Sequence, residues 1–291
     1  MKEVDVSAEV SLFARRSASH GEGPFWDSRR ERLLHVDMLA GTVVDLADPD
    51  EPVRHPVGSV AAVIRHRASG GFILALEHGF AFADDDLQVV EHLASIIDDA
   101  GIRFNEGGCD PQGRFYCGSM AYDETPGAAS VYRLDGDGSV ATVLDGVSVS
   151  NGLQWSADGE TAFYNDSPTG RVDAFDFDAG SGTFGDRRPF VTVPDSEGSP
   201  DGMAIDAEGG IWIALFGGGR VHRYDPDGSL SEVIELPVSQ VTACCFGGSD
   251  LRTLFITTSN DGLDPDAEPD AGSVYRVDAG VTGAVPHAFA G

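Results

Sequence analysis

The chain repeats itself at a coarse interval, and that repeat limits its fold more than any other feature. A polar residue, usually followed by glycine, stands four positions before an apolar residue that opens a short strand-like run. Glu22-Gly23 leads to Trp26, Asn105 to Cys109, Asn151-Gly152 to Trp155 and Asp201-Gly202 to Ile205. Weaker copies start at Val60, leading to Ile64, and at Thr242, leading to Phe246. The six starts are 38, 45, 46, 50 and 41 residues apart. A second pattern, Val-x-[Arg/Ala]-x-Asp, recurs at Val131–Asp135, Val172–Asp176, Val221–Asp225 and Val274–Asp278. Six units in this length are about 48 residues each, the size of a four-stranded propeller blade. Seven blades would need about 42 residues each and leave one copy missing. A β-sandwich would not need equal spacing. The expected fold is therefore all-β: a six-bladed β-propeller, read as one domain over residues 1–291 with its core from about residue 9. A strand around Val4–Phe13 is expected to complete the last blade.

Punctuation agrees with this reading. The chain carries 37 Gly and 15 Pro, spread between short apolar runs such as Leu33–Val36, Arg114–Gly118 and Gly210–Leu215. Asp135-Gly136-Asp137-Gly138 and Asp225-Pro226-Asp227-Gly228 suit hairpin turns. Ser95–Gly101 is the best candidate for a helical or irregular excursion.

Charge and cysteine content narrow the function. With 19 Lys+Arg against 48 Asp+Glu, the formal net charge is −29. Such a polyanion repels phosphate backbones and anionic membrane surfaces, so neither nucleic acid nor membrane is an expected partner. No apolar run approaches the roughly 20 residues of a spanning helix. The acidic start, with Glu3, Asp5 and Glu9, does not read as a signal peptide. Cys109, Cys117, Cys244 and Cys245 form no C-x-x-C pair. They read as small apolar residues in a reducing cytoplasm. Lys2 is the only lysine, which effectively rules out a Schiff-base or lysine-nucleophile enzyme. A monomer or weak homo-oligomer is expected.

In a propeller, equivalent positions in successive blades ring the central axis. Glu22, Asn105, Asn151 and Asp201 are then expected to face one another at one mouth of the channel. Two carboxylates and two amides converging without lysine would favour a divalent cation with oxygen ligands: Ca²⁺, Mg²⁺ or Mn²⁺, with Zn²⁺ also accepting carboxylates. An equally open reading is that these side chains cap turns at strand starts. His20, two residues before Glu22, reads more simply as a turn histidine than as support for the site. Asp84-Asp85-Asp86 reads as a solvated turn. Asp135-x-Asp137-Gly138 lacks the twelfth-position Glu of a calcium loop. No H-E-x-x-H or G-x-S-x-G motif occurs.

Several strings resemble the senescence-marker-protein/gluconolactonase family of regucalcin-like sugar lactonases. They are Gly21-Glu22-Gly23-Pro24-Phe25-Trp26, Arg103-Phe104-Asn105-Glu106-Gly107, Asp110 to Met120, Ser150-Asn151-Gly152-Leu153-Gln154-Trp155 and Pro200-Asp201-Gly202-Met203-Ala204-Ile205-Asp206. The likeness runs from about residue 9 onward, with the motifs in order and in spacing. It implies a six-bladed propeller with one divalent metal ion, Ca²⁺ foremost, in the channel, and hydrolysis of sugar lactones. By the same resemblance Glu22, Asn151 and Asp201 match the metal ligands, and Arg103 and Asn105 match the substrate-contacting pair. Asp123 stands where a substrate-contacting Glu is usual. Glu106 and Gln154 replace residues that are commonly Asp, which leaves the metal set whole and the sugar preference open.

On this reading the metal polarises the lactone carbonyl while Asp201, as general base, activates water. Arg103 and Asn105 orient hydroxyls. Two other functions compete: a propeller hydrolase of phosphotriesters or aryl esters, and a non-enzymatic calcium-binding propeller.

Overall fold

The computed structural model describes residues 9–264 and 266–291. Their strands form six four-stranded antiparallel sheets. Five sheets are plain meanders in chain order. The sixth is joined from both ends of the sequence: Ser11–Ala14 pairs with Val274–Asp278, outside Thr253–Thr258 and Val241–Gly247. This is the ring closure expected at the N-terminal side; the part of that stretch before Glu9 lies outside the described residues. Between the sheets lie six apolar clusters, one for each neighbouring pair. Burying both faces of each sheet against its neighbours makes the six sheets blades of a β-propeller.

The six repeat starts fall at the beginnings of the innermost strands: Gly21–Asp27, Ala61–His66 (just after Val60), Ile102–Cys109, Ser150–Trp155, Ser199–Ile205 and Val241–Gly247. The Val-x-[Arg/Ala]-x-Asp copies lie on the third strands, Ala129–Leu134, Arg171–Asp178, Arg220–Tyr224 and Val274–Asp278. Both Asp-Gly segments turn hairpins, between third and fourth strands of their blades. Ser95 ends a strand and the chain beyond it to Gly101 is irregular, not helical. Among the described residues the only helices are single 3-10 turns at Ser167–Thr169 and Asp195–Glu197. No helix of the described residues is long and apolar enough to cross a membrane.

Each innermost strand breaks register near its start: between Glu22 and Phe25, Ala61 and Val63, Phe104 and Gly107, Ser150 and Leu153, Pro200 and Met203, and Val241 and Ala243. A bulge re-aims a side chain out of strict alternation, and here one lies at or just after the repeat position of every blade. The glycine after the polar residue has its own cause. A Cβ on Gly202 would lie 2.4 Å from Ala243 Cβ, and one on Gly152 would lie 2.6 Å from Met203 Cε. Neighbouring innermost strands touch there, and only hydrogen fits between them.

Aspartates at the far ends of alternate innermost strands pin the blades. Asp27, Asp110 and Asp206 each accept from backbone N–H groups of the following turn and from a buried arginine: Arg32, Arg114 and Arg223. Pairing makes these buried charges tolerable in the interior, although Arg32 Nη2 has no hydrogen-bond partner among the described residues. At that same end the chain after the last blade crosses the ring. Thr282 and Ala284 bond the fifth blade at Ala207 and Ile205, and Phe289 bonds the second blade at His66 and Ala68. Ala290 reaches Gly113 of the third.

Candidate active site

The bulges bring Glu22, Asn105, Asn151 and Asp201 together on the axis, each nearly inaccessible to solvent. Asn105 is the hub. Its Nδ2 donates to Asn151 Oδ1 at 3.1 Å and to Ser150 O at 2.8 Å, across the seam between the third and fourth blades. Its Oδ1 accepts from Arg103 Nη1 at 2.7 Å. The same Nη1 lies 3.0 Å from both Phe104 O and Met38 Sδ, while Arg103 Nε is buried without a partner. Asn151 Nδ2 donates to Ser167 Oγ at 2.8 Å, and Ser167 Oγ donates to Pro200 O at 2.6 Å. The 3-10 turn Ser167–Thr169 thus fixes the amide of Asn151 and ties it to the strand that carries Asp201.

The acids are under-satisfied. Glu22 Oε2 accepts only from its own neighbour's amide, Gly23 N, at 3.1 Å. Asp201 Oδ1 and Glu106 Oε2 are buried with no hydrogen-bond partner among the described residues. Burial raises all three carboxyls above the ordinary range. Glu22 also raises Glu106 and Asp201, and Glu106 raises Asp201, while Arg103 and Arg65 oppose the shift at Glu22 and Glu106 respectively. Like charges that cannot reach water compete for protons or for a cation. Among the described residues no three His, Cys, Asp or Glu side chains group closely enough to hold a metal ion by themselves. The converging set is a mixture of carboxylates and carboxamides.

Asp123 stands apart. It is fully exposed, and its Oδ1 accepts from Thr125 N at 3.1 Å and Thr125 Oγ1 at 2.7 Å within its own turn. Its neighbours act on Arg103 instead: the Tyr122 ring centre is 5.7 Å from the guanidinium carbon, and Glu124 acts on it electrostatically. Tyr122 Oη donates to Glu77 Oε1 at 2.7 Å, and Ser59 Oγ donates to the other Glu77 oxygen. His20 Nδ1 lies 2.9 Å from Ser259 Oγ; burial, then Arg103, pushes its pKa down to about 4. The histidine therefore borders the site as a neutral group. The sequence marks Glu106 only as a departure from the family pattern, and gives Ser167 and Tyr122 no place in the site. Only Glu106 carried a signal, as a second acid directly after the register position.

Asp84, Asp85 and Asp86 accept from nearby backbone amides or meet Arg30, as a solvated turn does. The cysteines are free.

A family profile described as the SMP-30/gluconolactonase/LRE-like region matches residues 20–260. Regucalcin of Xenopus laevis is 40% identical over 302 aligned residues, covering 98% of this chain and 99% of that protein. Among solved structures, the calcium-binding protein regucalcin of Agrobacterium tumefaciens has a TM-score of 0.90 at 25% identity, covering 99% of each chain. Luciferin-regenerating enzyme has a TM-score of 0.89 at 29% identity, covering 98% of this chain and 100% of its own. Matching in sequence over most of its length and in fold over nearly all of it, the chain belongs to the SMP-30/gluconolactonase/LRE-like family.

Proposed function

We propose that the chain hydrolyses sugar lactones at the group formed by Glu22, Asn105, Asn151 and Asp201, with one divalent cation. The observation that carries this reading is the pair of orphaned carboxylate oxygens, Asp201 Oδ1 and Glu106 Oε2, buried beside Glu22. Buried oxygens without donors fit a hard cation, and Ca²⁺ accepts carboxylates and amide oxygens in flexible geometry. Glu22, Asn151 and Asp201 would hold it. Lewis acidity toward the lactone carbonyl is what the bound cation would supply.

The remaining chemistry belongs to the chain. Asp201 is the general base. The carboxylate oxygen not turned toward the cation takes a proton from the attacking water as the water oxygen bonds to the carbonyl carbon. The ring C–O bond then breaks, and the same proton passes to the departing ring oxygen, which gives an aldonic acid with all atoms accounted for. Arg103 Nε, the unused donor of that guanidinium, orients substrate oxygen. Asn105 has its amide committed to Arg103, Ser150 and Asn151. It acts here by holding Arg103 and Asn151 in register. Acid release from a panel of aldonolactones, followed with a pH indicator, tests the reading. Release that vanishes with chelator and returns with Ca²⁺, Mn²⁺ or Zn²⁺ is the expected result. Turnover of paraoxon or aryl esters alone, or cation binding without any turnover, would replace it.

A further inference from the structure

A cavity of about 310 Å³ occupies the far end of the channel, beyond the central acids. Its walls come from the second halves of the innermost strands, and residues 284–287 of the crossing segment lie over it. The walls mix the two kinds of surface: Trp26, Leu153, Trp155 and Phe246 supply apolar faces, and Gln154, Ser156 and His287 supply polar ones. A polyhydroxylated sugar acid would leave hydroxyls unpaired against the two tryptophans and Phe246.

Charge is scarce in this cavity. Asp206 lines it but is spent on Arg223, Trp212 and the backbone amides of Glu208 and Gly210. Glu106 forms the floor and faces the central acids, Glu22 and Asp201. Arg65 is different. The buried arginines Arg32, Arg114 and Arg223 each meet a carboxylate within 3 Å. Half-buried Arg65 makes no ion pair within 4 Å among the described residues, and acts on Glu106 only at longer range. It donates only to carbonyls, Nη1 to Ile64 O at 2.7 Å and Nη2 to Gly107 O at 2.9 Å. Those bonds clamp the guanidinium and leave Nε and its remaining N–H groups uncommitted. A fixed guanidinium with spare donors is a carboxylate receptor, and the volume is that of a small-molecule pocket.

We propose that this far cavity is a second small-molecule site, which takes an organic anion with a flat apolar body. The anionic group meets Arg65, and the body lies among the tryptophans and Phe246. The site adjoins the lactone site, with Glu106 bordering both.

The test is binding of 2-naphthoate and of its neutral isostere, 2-naphthamide, by calorimetry and by quenching of tryptophan emission. Chelator is present throughout, so the readout does not depend on turnover or on a cation. The expected result is one naphthoate per chain, at least tenfold tighter than the amide, and not displaced by gluconate or gluconolactone. Arg65→Met should erase the preference for the acid. Gly108→Val should weaken binding with Arg65 retained, because a Cβ at Gly108 sits 4.0 Å from Arg65 Nε and meets only ordinary contacts. Equal binding of acid and amide overturns the proposal, and so does displacement by gluconate. Absence of naphthoate binding, or unchanged affinity in folded Gly108→Val, overturns it as well, whether or not Arg65→Met folds.

Discussion

Asn105 and Asn151 lie on different blades, yet their amides bond directly, Nδ2 to Oδ1 at 3.1 Å. That contact crosses a seam at the axis and is backed on both sides: Arg103 holds Asn105, and Ser167 holds Asn151. A chain of hydrogen bonds therefore runs from Arg103 to Pro200, next to Asp201, without passing through solvent. Such a chain fixes directions, and directions are what a base and a cation site both need.

Asp201→Asn should keep the fold and lose turnover by about a hundredfold to ten-thousandfold, the usual contribution of a positioned base. Circular dichroism checks the fold and the lactone assay checks the rate. Undiminished lactonase activity in this variant would remove Asp201 from the proposed role.

Ser167→Ala removes both the acceptor for Asn151 and the bond to Pro200. Loss of an outer partner of a ligand typically weakens a cation about tenfold to a hundredfold. Ca²⁺ titration by calorimetry should show that loss. An unchanged affinity would mean that Asn151 needs no help from the 3-10 turn.

Gly202→Ala should destabilise the ring. The new methyl would lie 2.8 Å from the Ala243 Cα as well as against its Cβ, so the backbone must shift, at a cost of about 1–3 kcal/mol. Urea unfolding measures it. Gly108→Ala is the control, because its Cβ meets nothing nearer than 3.8 Å. Equal stabilities would contradict the close approach of the two strands.

His35 gives stability an acid limb. It is buried in the first blade, and burial pushes its pKa from 6.5 to about 4. Below 6.5 the unfolded chain binds a proton that the native chain refuses. Stability therefore falls as pH drops from 6.5 to about 4, by up to about 3 kcal/mol, and not further on this account once the native imidazole also protonates. His35→Gln should flatten that part of the stability curve between pH 7 and 4. An identical acid limb in both proteins would assign the loss to other groups.

The sequence carried the ring through its spacing. A polar residue followed by glycine at the head of three innermost strands, Glu22, Asn151 and Asp201, is visible as letters, and at Gly152 and Gly202 the close approach of neighbouring strands is what demands the glycine. It could not carry the aim of each side chain. Bulges at the strand starts decide that, and a bulge alters no residue type. Asp123 illustrates the limit: it stands where the resembling family has a substrate-contacting Glu, but its carboxylate is bonded within its own exposed turn to Thr125. Glu106 and Ser167 join the central group through burial and a one-turn helix, neither of which has a period to read.

The segment that crosses the ring from Ala284 to Phe289 also sets a length. It is fastened to the fifth blade at one end and to the second, directly opposite, at the other. A circle of sheets can flatten toward an oval, but a tie across its diameter resists that. Shortening this stretch by one residue would draw opposite blades inward and press the central acids together. Lengthening it would let them drift apart.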